Sequence, residues 1–176
     1  MATKHRRKLG QYDTSIADFP AAIDGGERSA ELLFGRAVAF DHLGRHAEAI
    51  DCTSALAIDP RHANAYNSRG VVRLKLRQPE EAHADFTAAI ELAPQWDVPH
   101  FSRAMIAMER SDWPSAITDY TRAIQAVEAR NRHDERPLLA RLYWNRGHAQ
   151  GSLGDNAAAA SDRRRASSLD PSLARV

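Results

Sequence analysis

The sequence predicts an all-α protein, an α-solenoid of antiparallel helix pairs, on two observations. One phrase recurs: "CTSALAIDP" at 52–60, "FTAAIELAP" at 86–94 and "YTRAIQAVE" at 120–128, with fainter forms "FPAAIDGG" at 19–26 and "RRRASSLDP" at 163–171. Arginine also returns in matched settings, "GRA", "SRG", "SRA" and "NRG", at Arg36, Arg69, Arg103 and Arg146, with spacings of 33, 34 and 43. A repeat of this length cannot bury its own apolar face, so copies must stack on one another.

The copy at 63–94 shows what each unit encodes. Tyr66, Gly70, Val71 and Leu74 fall at helical spacing, and so do Ala82, Phe86, Ala89 and Ile90. "RQPEE" separates the two runs, and Pro79 suits a first helical turn, where a missing N–H costs nothing. The closing proline disfavours helix at the residue before it. Each unit therefore reads helix, tight turn, helix. Gly70 and Ala82 are small enough to let the two helices cross closely beside Phe86.

Taken in order, residues 1–27 form a partial unit, a second helix with Ile16, Phe19 and Ile23 in register and too little preceding chain to cover them. Repeats follow at 28–60, 61–94 and 95–136, and a last one at 137–176, all in one continuous solenoid domain. The first repeat is one residue short before Cys52, which predicts a bulge or adjusted turn near Asp51. The third carries the insertion "EARNRHDERP" at 128–137. There the reading is helix continued past Gln125, a charged loop, and a restart after Pro137, with the bland alternative of a solvated loop without consequence. In the last unit Arg163 replaces the usual aromatic, and the run Arg163 to Arg165 supplies the polar face a terminal repeat needs.

Composition narrows the function. Twenty-four basic residues stand against 23 acidic ones in 176, so no global field favours nucleic acid or an anionic membrane. Hydrophobic residues at 43% supply a core. Cys52 is the single cysteine, so an intrachain disulfide is impossible. The basic opening "MATKHRRKLGQYDTS" lacks the apolar run of a signal peptide, and no stretch approaches the roughly 18 apolar residues of a membrane span. A cytoplasmic protein is expected.

Catalytic chemistry finds no foothold. Gly-rich phosphate loops, "GxSxG", "HExxH" and "CxxC" are missing from the sequence. His42 and His46 flank a turn and supply too few ligands for zinc, and Cys52 occupies the position of Phe86 and Tyr120, which suits a buried apolar residue. No catalytic residue, metal or cofactor is expected. "KHRRK" at 4–8 and "RRR" at 163–165 lack interleaved aromatics, so nucleic acid is not the expected partner. Asp18, Asp85, Asp119 and Asp162 recur on second helices, with Asp51 near that register. They are expected to pair with the arginine ladder and fix the stacking.

The period near 34, the small-then-large order at the crossings, "LG" at 43–44, "EEA" at 80–82 and the closing "DP" at 59–60 resemble the tetratricopeptide repeat family, over nearly the whole chain. Ala37 and Ala104 depart from that family's glycine. The resemblance implies a right-handed superhelix whose first helices line a concave groove, and a partner that is another protein, bound as a peptide or a helix. The groove positions it implies are Phe34 and Val38 in the first unit, and Asn67 and Val71 in the second, with Asp41 and Lys75 at their ends. In the third they are Phe101, Met105 and Met108, preceded by Val98, and in the fourth Arg141, Trp144, Asn145 and His148. Phe34, Phe101 and Trp144 would be anchors, and Asn67 and Asn145 would meet a peptide backbone, unless some of these rings pack inside the stack. Members that grip acidic C-terminal peptides carry an asparagine and lysines where this chain has Phe34, Val38 and Ser68, so that mode is not expected. The alternative is a homodimer or larger homo-oligomer joined through Ile16, Phe19 and Ile23.

Overall fold

The structure is a computed structural model that describes residues 29–46 and 52–175. Those residues form eight α-helices: α1 Ala30–His42, α2 Cys52–Ile58, α3 Ala63–Lys75, α4 Pro79–Leu92, α5 Asp97–Glu109, α6 Trp113–Arg130, α7 Arg136–Ser152 and α8 Asn156–Leu169. Short 3₁₀ turns occupy His133–Glu135 and Pro171–Arg175. The chain divides into two compact units, Met1–Leu92 and Ala93–Val176. In the first, α1 packs on α2, α2 on α3 and α3 on α4; in the second, α5, α6, α7 and α8 pack in the same succession.

The turn inside each helix pair is one conformation used four times. Gly44, Arg77, Ser111 and Gly154 all have positive φ, at 74°, 61°, 56° and 93°. Each stands eight residues after an arginine of the ladder. The next amide then donates back to a carbonyl five residues earlier, at 2.9 Å in all four: Arg45 to Phe40, Gln78 to Arg73, Asp112 to Ala107 and Asp155 to Gln150. This left-handed cap satisfies carbonyls the helix end would otherwise orphan and reverses the chain. Glycine meets the conformation freely at two of the four positions. Arg77 and Ser111 bear its steric cost.

Helix starts are capped by side chains. Ser29 Oγ accepts from the Leu32 amide at 3.1 Å, Asp112 Oδ1 from Ser115 at 3.2 Å and Asp155 Oδ1 from Ala158 at 3.0 Å. His62 caps α3 through Nδ1, which accepts from the Ala65 amide at 3.2 Å. Its Nε2 lies 3.2 Å from Glu31 Oε1.

Where the paired helices cross, size complementarity is tight. A Cβ added to Gly70 would sit 2.8–3.1 Å from the Phe86 ring, which is completely buried. At Gly147 the same atom would meet the Ala159 carbonyl and Asp162 Cβ at 3.2 Å. Ala37 and Ala104, in the equivalent places, are buried as well. The core of the second unit gathers Tyr120, Ile124, Val127, Leu139 and Leu142 among small alanines, and a smaller cluster of Leu33, Ala55, Leu56 and Ala65 serves the first.

The insertion follows the expected order: helix continued past Gln125 to Arg130, a charged turn through His133–Glu135, and a new helix. Nine added residues lengthen α6 to 18 residues and α7 to 17, where α4 has 14 and α5 has 13. Roughly one extra turn is thus added to each of two facing helices. Asn131, with φ 47°, ends α6, and α7 restarts at Arg136, one residue before Pro137. Arg130 ties the insertion down, reaching Asp97 at 2.7 Å and Glu135 at 3.0 Å. Asp51, near the expected bulge, lies outside the described residues, as do Asp18, Ile16, Phe19 and Ile23. Among the described residues, no helix is long and apolar enough to cross a membrane.

Candidate functional site

Three rungs of the arginine ladder, Arg69, Arg103 and Arg146, pair as the recurrence implied. Arg69 donates to Asp85 from Nη2 at 2.6 Å and from Nε at 3.0 Å. Arg103 Nε and Nη2 reach Asp119 at 2.7 and 2.8 Å, and the same atoms of Arg146 reach Asp162 at 2.7 and 2.9 Å. Every pair spans 16 residues, from first helix to second helix of one repeat. Arg69 and Arg146 also reach back to the preceding repeat. Arg69 Nη1 donates to Thr53 Oγ1 at 3.2 Å, and Arg146 Nη1 to Thr121 Oγ1 at 3.0 Å. Bidentate geometry is what guanidinium offers and ammonium does not. These three arginines are therefore occupied by structure.

The third repeat changes one part of this clasp. Tyr66 and Tyr143 lie beneath Arg69 and Arg146, with 5.5 and 5.3 Å from guanidinium carbon to ring centre. His100 holds that position in the third repeat, is buried, and contacts Asp119 Oδ1 through Nδ1 at 3.2 Å and the Pro94 carbonyl through Nε2 at 3.1 Å. Burial works against the Asp119 carboxylate, yet the hydrogen bonds from Arg103 and His100 outweigh it and hold its pKa below the ordinary value.

With the ladder assigned to stacking, the remaining polar and aromatic side chains of the first helices define the candidate docking face. Val98, Phe101, Met105 and Met108 follow one another at helical spacing along one side of α5. Val98 and Met105 are each 40% exposed, while Ala104, Ile106 and Ala107 of the same helix are buried. Arg141, Trp144, Asn145 and His148 share one side of α7. The two strips are joined. Arg141 stands over the Phe101 ring at 5.5 Å, and Trp113, at the start of α6, lies tilted against the His148 ring at 6.3 Å.

Tyr120 links the strips from beneath. Its hydroxyl donates to Met105 Sδ at 3.3 Å and accepts from the Asn145 amide. Burial pushes the phenol up to about 12 against the lowering effect of Asn145. One hydrogen bond of the Asn145 amide is therefore given to Tyr120. Phe101 and Met108 pack partly into the core beneath them, whereas Arg141 and His148 are exposed. Trp144 is half-buried.

In the first unit the expected positions are more enclosed. Phe34 packs on the small core and lies 5.0 Å from the His62 ring. Val38 and Val71 line a cavity of about 160 Å³ together with Ala37, Ser68 and Cys52. The hollow sits where Cys52 replaces a large aromatic. Cys52 is buried, and burial raises its thiol pKa to about 11. Asn67 is half-buried, and its Oδ1 has no hydrogen-bond partner among the described residues. Lys75 closes this end by reaching Asp41 at 2.6 Å, and His46 Nδ1 reaches the same carboxylate at 3.0 Å. Among the described residues, no group of three or more His, Cys, Asp or Glu converges as a metal site would require.

Three family models, each described as tetratricopeptide repeat, match residues 4–60, 63–96 and 140–173, more than half the chain between them. The chain belongs to the tetratricopeptide repeat family. Solved tetratricopeptide structures agree in fold. MamA superposes with a TM-score of 0.80 at 18% identity, covering 97% of this chain and 95% of that one. YrrB, described as a TPR protein with an unusual peptide-binding site, gives 0.75 at 18% identity over 96% of this chain and 84% of its own. Among curated proteins, RNA polymerase II-associated protein 3 of Xenopus tropicalis is 37% identical over 86 residues, or 48% of this chain. DnaJ homolog subfamily C member 7 of Mus musculus is 34% identical over 82 residues, or 44% of it. The matches cover only 13% and 17% of those two proteins. Repeat family and solid structural agreement support a protein-interaction scaffold.

Proposed function

We propose that this tetratricopeptide scaffold is non-catalytic and holds an extended peptide or a partner's helix on its first-helix face, with the α5 and α7 strips as the best-formed stretch. The observation that carries this reading is the pairing of exposure with alignment on α5. Val98 and Met105 stay 40% exposed on the side that also bears Phe101 and Met108. Leaving apolar surface in water costs about 25 cal/mol per Å², and such rows are what an amphipathic partner covers. Arg141 and His148 add polar contacts along the α7 side of the strip. YrrB, a like fold with a peptide-binding site of its own, supports the same class of partner.

Affinity capture from the source cell, comparing wild type with a Met105→Asp/Trp144→Ala variant of matched circular dichroism, tests the reading. Proteins retained by wild type and lost by the variant are expected. Identical recovery by both would sink it.

A further inference from the structure

The insertion does more than lengthen two helices. Its extra turns, together with the end of α8, line an open cavity of about 390 Å³. The floor is apolar, made by Val127, Leu139 and Leu169, and arginines 132, 136 and 165 stand around it. On α7, Arg136, Leu139 and Tyr143 occupy the side turned away from Arg141, Trp144, Asn145 and His148, so the cavity is separate from the candidate docking face.

Its charges are unequal in their engagement. Both acids at the cavity are taken: Glu128 accepts from the Tyr143 hydroxyl at 2.7 Å, and Glu135 accepts from Arg130 at 3.0 Å. Arg136 is exposed and has no carboxylate partner among the described residues. Arg165 is exposed too and meets only the Tyr143 phenol near the cavity. Arg132 holds Asp134 in a pair that is more than 60% exposed on both sides, which an incoming carboxylate can exchange at little cost. An apolar hollow ringed by available guanidinium groups suits an apolar side chain flanked by carboxylates.

We propose that this cavity is a second recognition site, which takes one apolar side chain of an acidic peptide segment of a partner protein. The volume accommodates one large side chain, with room for its backbone at the rim. Arg136 and Arg165 receive the flanking carboxylates, and Arg132 follows by releasing Asp134. The apolar floor favours a peptide over nucleic acid, whose phosphates would use the arginines alone.

The test uses the full chain and an array of fluorescent nine-residue peptides. Each has a central Leu, Ile, Met or Phe between glutamates and aspartates, with a central-Gly series and a single-stranded 12-nucleotide DNA as controls. Saturable binding of at least one apolar-centred peptide is expected, weakened about tenfold or more by Gly at its centre. Arg136→Glu/Arg165→Glu should weaken it by at least tenfold, and the milder Arg136→Ala should weaken it several-fold should the double variant fail to fold. Met105→Asp should leave it unchanged. Absence of saturable binding across the array overturns the proposal. So does equal binding of the Gly series, insensitivity to the arginine substitutions, or arginine-dependent binding of the oligonucleotide alone.

Discussion

Arg103 and Asp119 face each other across the third helix pair through two parallel contacts, Nε to Oδ2 at 2.7 Å and Nη2 to Oδ1 at 2.8 Å. His100 closes on the same carboxylate from the turn before, at 3.2 Å. The carboxylate is buried on all sides, and its partners come from the neighbouring helix. Removing it takes two charge-assisted hydrogen bonds from a guanidinium held between two packed helices. Asp119→Ala should destabilise the chain by on the order of 3 kcal/mol, and Arg103→Leu/Asp119→Leu by distinctly less, because the pair then leaves together. Urea unfolding followed by circular dichroism reads both.

The same carboxylate sets an acid limit. Its folded pKa is depressed, so the stability it confers is present above the unfolded value of about 3.9 and is lost as pH falls through the folded value. Wild type should therefore lose stability between about pH 5 and pH 2 more steeply than Asp119→Asn. Parallel slopes in urea titrations at pH 3 and pH 6 would show that other groups govern acid unfolding.

The four shared turns predict where stability can be gained. Arg77 and Ser111 hold φ of 61° and 56°, the conformation that Gly44 and Gly154 adopt in the equivalent turns. Arg77→Gly and Ser111→Gly should each stabilise by about 0.5–1 kcal/mol, since relief of left-handed strain exceeds the added unfolded-state entropy. A lowered midpoint in either variant would mean that the lost side chain matters more than the backbone.

Gly70 predicts the opposite. Its missing Cβ leaves room for the Phe86 ring, so Gly70→Ala should cost about 1–3 kcal/mol, and Phe86→Leu placed on top of it should cost less than on the wild-type background. A double-mutant cycle on thermal midpoints measures that coupling.

Much of this was legible in the chain because repetition makes partners visible. Arg69, Arg103 and Arg146 recur in step with Asp85, Asp119 and Asp162, and a pairing that returns at constant separation needs no coordinates to suspect. Gly70 beside Phe86 was readable for the same reason. What occurs once was not. His100 stands where two other repeats have tyrosine, and a single substitution does not tell whether its ring turns to solvent or to Asp119. The insertion read as helix continued past Gln125, a charged loop and a restart after Pro137, but its arginines and acids carry no apolar periodicity that would fix where each helix ends. The contact of Arg130 with Asp97, 33 residues away, is likewise invisible to any local pattern. The face residues were placed by resemblance, but the link from Asn145 through Tyr120 to Met105 required the structure, since no local pattern joins three helices.

The claim on which the functional account rests is that a partner lies along α5 and α7, and proximity labelling addresses it most directly. A photo-crosslinking phenylalanine analogue placed at Met105 should trap a partner in the source cell. The same analogue at Thr118, exposed on α6 and outside both proposed sites, should not. Capture at position 105 alone is the predicted result. Capture at 118 with none at 105 would contradict the account.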